Sequence, residues 1–106
     1  MLKRRDKCRY LAVLHNGQMD GIEIVELIKK RNSELFGHIA TERSSLRFIQ
    51  SQIKTIIIIS CKIKGLDNIL STIAFTDPPL VTLHISGTLK RLRRACLSKE
   101  LTNKGL

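Results

Sequence analysis

Apolar positions in the first half of the chain change from a strand-like run to a helical spacing. Residues 9–14 form a short apolar run that ends at a turn-like segment, 15–17, and they predict a first strand. A helix then begins at Asp20, which lies three residues before Glu23 in the spacing of a capping box. Gly37 ends this helix. Its apolar positions, spaced mostly three or four residues apart, are Ile22, Ile24, Val25, Leu27, Ile28, Leu35 and Phe36.

The second half alternates between β-rich and helical segments. Residues 46–51 alternate in polarity and residues 55–63, TIIIISCKI, are rich in β-branched side chains, so together they predict a hairpin. Apolar positions at i, i+3, i+4 and i+7 over 66–73 predict a second helix, which ends before Pro78. Alternation over 81–85 predicts a fourth strand with one face on the core.

A third helix, which begins near Thr88, has two different faces. Leu89, Leu92 and Cys96 form a narrow apolar stripe on a helical wheel. The basic arc on the other side consists of Lys90, Arg91, Arg93 and Arg94.

The predicted order is strand, helix, strand, strand, helix, strand, helix. It fits an α+β ferredoxin-like or RRM-like sandwich: a four-stranded antiparallel sheet (βαββαβ) with an added C-terminal basic helix. The stripe of that helix is expected to cover part of the open sheet face, where Tyr10, Ala12, Ile56 and Ile58 would point. A slip of one residue in the strands would reverse this assignment.

Length and charge narrow the choice of partner. The 106 residues suffice for one core, so we expect a basic arm at 1–8, one domain at 9–97 and a C-terminal tail at 98–106.

Nineteen Lys and Arg against nine Asp and Glu give a formal net charge of +10. Such a charge repels itself unless nucleic acid, an anionic membrane or an acidic protein neutralises it. The cations crowd near both ends, whereas the acidic residues lie mostly between them.

Several function classes lack their motifs. The three cysteines have neither zinc-site nor redox-dithiol spacing, and the three histidines have no metal-ligand spacing. No nucleophile elbow or phosphate-binding loop occurs, so we expect no catalytic residue, bound metal or cofactor. No run resembles a secretory signal, and the longest apolar run, 56–59, is too short to cross a membrane. We therefore expect a reducing compartment, the cytoplasm or the nucleus.

Two segments carry a family resemblance. The start KCRYLAVL and the segment LHISGTLKRLRRACL resemble the opening and closing motifs of the ribonuclease P/MRP protein subunits of the Pop-five (Pop-five/Rpp-fourteen) family. Between them, FG after the first helix and IIIISC before the second are similar to the family's Phe-Gly and Ile-Ile-Arg-Cys segments, with Ser60 in place of the arginine. The resemblance spans roughly residues 7–97.

The resemblance implies a non-catalytic subunit of ribonuclease P, RNase MRP or both. It implies binding to the RNA, a tight pair with a TIM-barrel-related subunit of the Rpp-one or Rpp-thirty type, and contact with other RNase P proteins. The RNA, with its own magnesium ions, would cleave the 5′ leader of precursor tRNA, or precursor ribosomal RNA in the MRP particle. The location implied is the nucleus or nucleolus in a eukaryote and the cytoplasm in an archaeon.

Physical reasoning places the RNA-binding residues at the two basic ends. A helix N-terminus attracts phosphate, Gly87 permits close backbone approach, and Arg91 and Arg94 share a helix edge from which each can pair with phosphate oxygens. The predicted RNA-binding residues are Arg4, Arg5, Lys7, Arg9, Ser86, Gly87, Thr88, Lys90, Arg91, Arg93 and Arg94. The predicted protein interface comprises Tyr10, Ile56 and Ile58.

Simpler interpretations, without RNA binding by these features, remain open. The third helix can be a capped, solvated basic helix, and the arm a solubilising or nuclear-targeting tail. A stand-alone RRM-type protein would stack bases on its sheet, but here Tyr10 is the lone aromatic residue expected there. A ferredoxin-like assembly or regulatory module would bind no nucleic acid at all.

Overall fold

Eight helices and strands make up the computed structural model, which describes residues 7–51, 53–76 and 80–104, with side chains to residue 96. A short 3-10 turn, Ile63–Gly65, precedes the third helix. The elements in chain order are β1 (Cys8–Leu14), α1 (Gly21–Phe36), α2 (His38–Ser44), β2 (Arg47–Ile49), β3 (Ile56–Lys62), α3 (Leu66–Ala74), β4 (Val81–Ser86) and α4 (Leu89–Lys104).

The four strands form one antiparallel sheet in the order β2-β3-β1-β4. This is the ferredoxin-like arrangement, so the predicted fold class is confirmed. The first and third strands lie at the centre, where β1 pairs with β3 over its whole length. Its pairing with β4 is interrupted by a bulge near Ala12, at which Leu83 becomes the extra residue.

The two sheet faces bury two separate clusters. Alternate residues of β1 and β3, among them Leu11 and Ile59, pack on one face with buried residues of α1 and α3 such as Ile28 and Ile69. On the other face the buried cluster consists of Ala12, Ile58, Leu92 and Cys96. The strand register therefore has the predicted parity, and α4 covers the face that the third helix was expected to cover.

Helix α1 has the predicted ends but a different buried face. The Asp20 carboxylate accepts a hydrogen bond from the Ile22 amide at 3.0 Å, and Gly37 ends the helix at φ 93°. Ile22 is 61 % exposed, however, and Leu35 and Phe36 are also exposed. The buried positions of α1 are Ile24, Val25, Ile28 and Asn32.

The buried face of α1 includes a polar residue. Asn32 is fully buried; its amide donates to the Thr41 hydroxyl at 2.8 Å, and its carbonyl accepts from the Thr72 hydroxyl at 2.9 Å. These bonds join α1 to both α2 and α3. A face chosen by hydrophobicity alone excludes asparagine, so the predicted stripe missed this buried position.

Helix α2 was not predicted. Its sequence, HIATERS, has no apolar stripe, and it is held by the Asn32–Thr41 bond and by the packing of Ser44. Ser44 is buried so closely against Gly65 that a Cβ on Gly65 would lie 2.5 Å from the Ser44 Cβ. Strand β2 is also shorter than the predicted 46–51.

Two of the predicted segment boundaries can be compared with the structure. The first strand begins at Cys8, and residues 1–6 of the predicted arm lie outside the described residues. The predicted start of the tail at residue 98 falls within α4, which continues to Lys104. Across the described ranges, no helix is both long and apolar enough to cross a membrane.

Replacement of Leu92 by alanine tests whether α4 is part of the folded unit. Leu92 is fully buried between α4 and the sheet. We expect Leu92→Ala to lower the free energy of unfolding by about 2–5 kcal/mol in urea denaturation. The matched control Leu35→Ala, at a residue 51 % exposed, should change it by less than about 0.5 kcal/mol. Equal effects would mean that α4 does not contribute to the core.

Candidate nucleic-acid interface

Strand pairing brings the two basic segments of the sequence together. Tyr10 of β1 lies directly opposite Ser86 of β4. Arg9 extends beside the turn that follows β4: a Cβ on Gly87 would lie 3.7 Å from the Arg9 Nη1. That same Nη1 donates to the Cys8 carbonyl oxygen at 3.0 Å. The start of β1 and the β4–α4 turn are therefore neighbours at one end of the sheet.

The turn between β4 and α4 is organised by its own side chains. The Thr88 amide donates to the Ser86 Oγ at 3.3 Å, and the Arg91 amide donates to the Thr88 Oγ1 at 3.3 Å, as at a helix N-cap. Two amides at the helix N-terminus, where phosphate binding is predicted, are thus satisfied within the chain. Ser86 and Thr88 shape the turn, while their hydroxyl hydrogens are still able to donate to a ligand.

The cations of α4 face away from carboxylates. Lys90, Arg91, Arg93 and Arg94 are all exposed. Two ion pairs, Lys29–Glu26 and Arg31–Glu34, lie along α1, and none joins these four cations to a described carboxylate. The described carboxylates therefore do not neutralise these four cations, whose exposed charge can meet an external anion.

Further cations, which the sequence pattern does not predict as binding residues, lie at the same end of the sheet. One row of directly opposite residues crosses all four strands. It consists of Arg47 on β2, Ser60 on β3, Tyr10 on β1 and Ser86 on β4. Directly opposite residues share a face, which places Arg47 on the α4 side of the sheet. Lys62 lies opposite Cys8 in the next row of this face. Only the register reveals this, because Arg47 and Lys62 are far in sequence from either basic cluster.

The predicted basic arc is not uniform. Arg93 lines an open cleft together with Gln50, Ser51 and Lys54 of the β2–β3 loop. Helix α4 begins at Leu89, next to the Gly87 turn at one end of the sheet. Its Arg93 lies at the opposite end, beside the β2–β3 loop. Arg4 and Arg5 lie outside the described residues. Lys7 is exposed, and its carbonyl oxygen accepts from the Ile63 amide at 2.8 Å.

The residues predicted as a protein interface lie under α4. Ile58 is 2 % exposed and belongs to the Leu92 cluster, while Tyr10 and Ile56 are half-buried against the same cluster. Helix α4 thus occupies the surface that an open sheet would offer. The interface prediction stays a prediction for Tyr10 and Ile56, but Ile58 is accessible to another protein only if α4 moves.

The comparisons with known proteins agree with the fold. No family model matches the chain, and no curated protein matches it. A chain of the solved structure described as "Cryo-EM structure of yeast Ribonuclease MRP" is similar, with a TM-score of 0.62 and 15 % sequence identity. The two chains share a fold. The alignment covers 99 % of this chain and 100 % of the other.

Cys61 is a buried thiol in the cluster between the sheet and helices α1 and α3, and it pairs with Arg9 in the sheet. Burial, and secondarily the nearby Cys8, raises the pKa of Cys61 from 9.0 to about 11. Because the folded pKa lies above the unfolded value, the neutral thiol stabilises the fold fully below pH 9. This contribution is lost as the pH rises from 9 towards about 11.

Thiol alkylation tests the burial of Cys61. At pH 8 we expect exposed Cys8 to react quickly with iodoacetamide and Cys61 to react only after denaturation, since the thiolate is the nucleophile. Raising the pH towards 11 should increase the rate at which iodoacetamide alkylates Cys61 in the folded protein. Equal rates for the two residues at pH 8, measured by mass spectrometry, would contradict the assignment.

Proposed function

We propose that the chain is a protein subunit of a ribonuclease P or RNase MRP particle and that it binds the RNA without performing catalysis. The observation that carries the proposal is the approach of Arg9 to Gly87, which brings the basic start of β1 next to the turn that leads into the basic helix. The fold shared with a chain of the yeast RNase MRP structure and the Pop-five-like motifs at the same two segments support it.

The chemistry of this surface suits the backbone of folded RNA. Arg91 and Arg94 are exposed on α4, and each guanidinium presents paired donors to phosphate oxygens. Their spacing of three residues places them on one helix edge. A-form RNA is recognised largely through its shape, phosphates and 2′-hydroxyls, which a rigid cationic helix can follow without reading bases.

The role that follows is stabilisation of the RNA fold. Close packing of RNA strands is opposed by phosphate repulsion, and the cations of α4 and β1 reduce it where the protein docks. Cleavage of precursor tRNA, or precursor ribosomal RNA in the MRP particle, then belongs to the RNA and its magnesium ions. We further propose a TIM-barrel-related subunit and other RNase P proteins as neighbours, and a nuclear location in a eukaryote or a cytoplasmic one in an archaeon.

The alternatives fit the described surface less well. An RRM-type protein stacks bases on the central strands of an open sheet, but α4 covers that face here and Tyr10 packs against the Leu92 cluster. A module without nucleic acid leaves Lys90, Arg91, Arg93 and Arg94 without a described partner of opposite charge. Sequencing the RNA that copurifies with the tagged protein separates the hypotheses, because a large structured RNA together with a TIM-barrel protein is expected only for the first.

Charge reversal on α4 tests the RNA-binding surface. We expect Arg91→Glu with Arg94→Glu to weaken binding to a structured RNA of any sequence. The slope of log K against log salt should flatten by about 0.7 to 0.9 for each phosphate that the variant no longer neutralises. The control Lys30→Glu with Arg43→Glu makes the same charge change on exposed residues of α1 and α2, across the sheet. An unchanged slope in the α4 variant, or an equal change in the control, would reject the surface.

Replacement of Gly87 by alanine tests close approach to the turn. The new Cβ meets Arg9 at an ordinary contact distance of 3.7 Å, so the fold should tolerate it. If a phosphate lies against the turn backbone, RNA affinity falls several-fold while thermal stability is nearly unchanged. Gly65→Ala is the contrasting control, because its Cβ would meet the Ser44 backbone at 2.9 Å and should destabilise the fold. RNA affinity equal to that of the parent would place the phosphate elsewhere.

A further inference from the structure

A cavity of about 240 Å³ lies between the β2–β3 loop and the beginning of α1. Met19, Ile53 and Ile57 provide apolar walls, and Phe48 packs its ring over Gly21 in the space that a Cβ would need. The volume is below the roughly 300–1,000 Å³ of sites for drug-sized molecules. It suits one ring system rather than a whole nucleotide.

His15 lines this cavity and has an unsatisfied ring donor. It is 8 % exposed and lines the wall, and its backbone amide donates to the Thr55 carbonyl oxygen at 2.8 Å. The Nδ1 accepts from the Gly17 amide at 3.1 Å, so the hydrogen of the neutral ring is on Nε2. Among the described residues this buried Nε2 has no hydrogen-bond partner. A ligand with an acceptor would satisfy it.

The cavity adjoins the cationic cleft of about 610 Å³ that Arg93 lines. Gln50, Ser51 and Lys54 line both spaces. The Ser51 Oγ accepts from the Ile53 amide at 3.1 Å, which leaves its hydrogen to donate to a ligand. A small, partly open cavity with both apolar and polar walls thus adjoins a wider cleft that Lys54 and Arg93 line.

We propose that this site holds one unstacked RNA nucleotide, with its base in the His15 cavity and its phosphate between Lys54 and Arg93. A base carbonyl or ring nitrogen accepts from the His15 Nε2, while Phe48 and the isoleucines contact the ring. Sequence-specific RNA recognition commonly uses bases that are splayed out of the stack in this way. The inference rests on the proposed RNA-binding function and adds base contacts to its phosphate contacts.

Nuclear magnetic resonance of the full, nitrogen-labelled chain tests the site with uridine monophosphate and inorganic phosphate as separate probes. The nucleotide should shift the His15 Nε2 resonance and the Phe48 amide, whereas phosphate should shift only signals of Lys54 and Arg93. If the cavity holds only water, neither probe changes the His15 signal, and that outcome overturns the proposal. Shifts from the nucleotide that are confined to Lys54 and Arg93 also overturn it, since the base then lies outside.

Two variants separate the two halves of the site. His15→Phe removes the donor and should lower affinity for the nucleotide about threefold to tenfold, as expected when one hydrogen bond is removed, without changing phosphate binding. Lys54→Gln, at an exposed residue, should weaken both probes, while the control Lys30→Gln on α1 should weaken neither. If the Lys54 variant binds uridine monophosphate as tightly as the parent does, the proposal is contradicted, and this test holds even if the His15 variant does not fold.

Failure of this inference differs from failure of the proposed function. If structured RNA binds with a salt slope that depends on Arg91 and Arg94, but the nucleotide leaves His15 unchanged, only the nucleotide site is rejected. If structured RNA does not bind at all, the proposed function is rejected.

Discussion

The antiparallel pairing of β1 with β4 is the constraint on which the rest of this structure depends. It places the basic start of the chain opposite the end of β4, so that Arg9 lies beside Gly87. Backbone hydrogen bonds fix this register, and a shift of one residue would exchange the two faces of β1. The cationic surface is thus a consequence of sheet topology rather than of any local cluster alone.

Helix α4 closes a sheet face that related architectures leave open. Leu92 and Cys96 bury Ala12 and Ile58, which removes the platform used for base stacking. The same helix carries Lys90, Arg91 and Arg94 on its outer side and Arg93 at the β2–β3 loop. One element therefore completes a core and presents the charges, so disruption of its packing would also disrupt the binding surface.

Charge and burial are distributed differently on the two sides of the sheet. On α1, acidic and basic residues pair with each other along the helix, whereas the described cations of α4 pair with no described carboxylate. A net charge of +10 on 106 residues is tolerated only if these cations remain solvated or meet a polyanion. The side with paired charges and exposed apolar residues such as Leu35 is chemically distinct from the cationic side.

The sequence by itself determined most of the secondary structure, because helix caps, glycine ends and the two periodicities are local properties. Asp20, Gly37 and the alternation in β4 are examples, and the same patterns predicted the fold class and the covering role of the third helix. The tertiary structure alone decided which face of α1 is buried, since Asn32 binds partners on two other helices, and it alone formed α2. It also decided that Arg47 joins the cationic end and that His15 meets Lys54 at one cavity. Those relations depend on strand register and on loops distant in sequence, and no local pattern of hydrophobicity or charge contains that information.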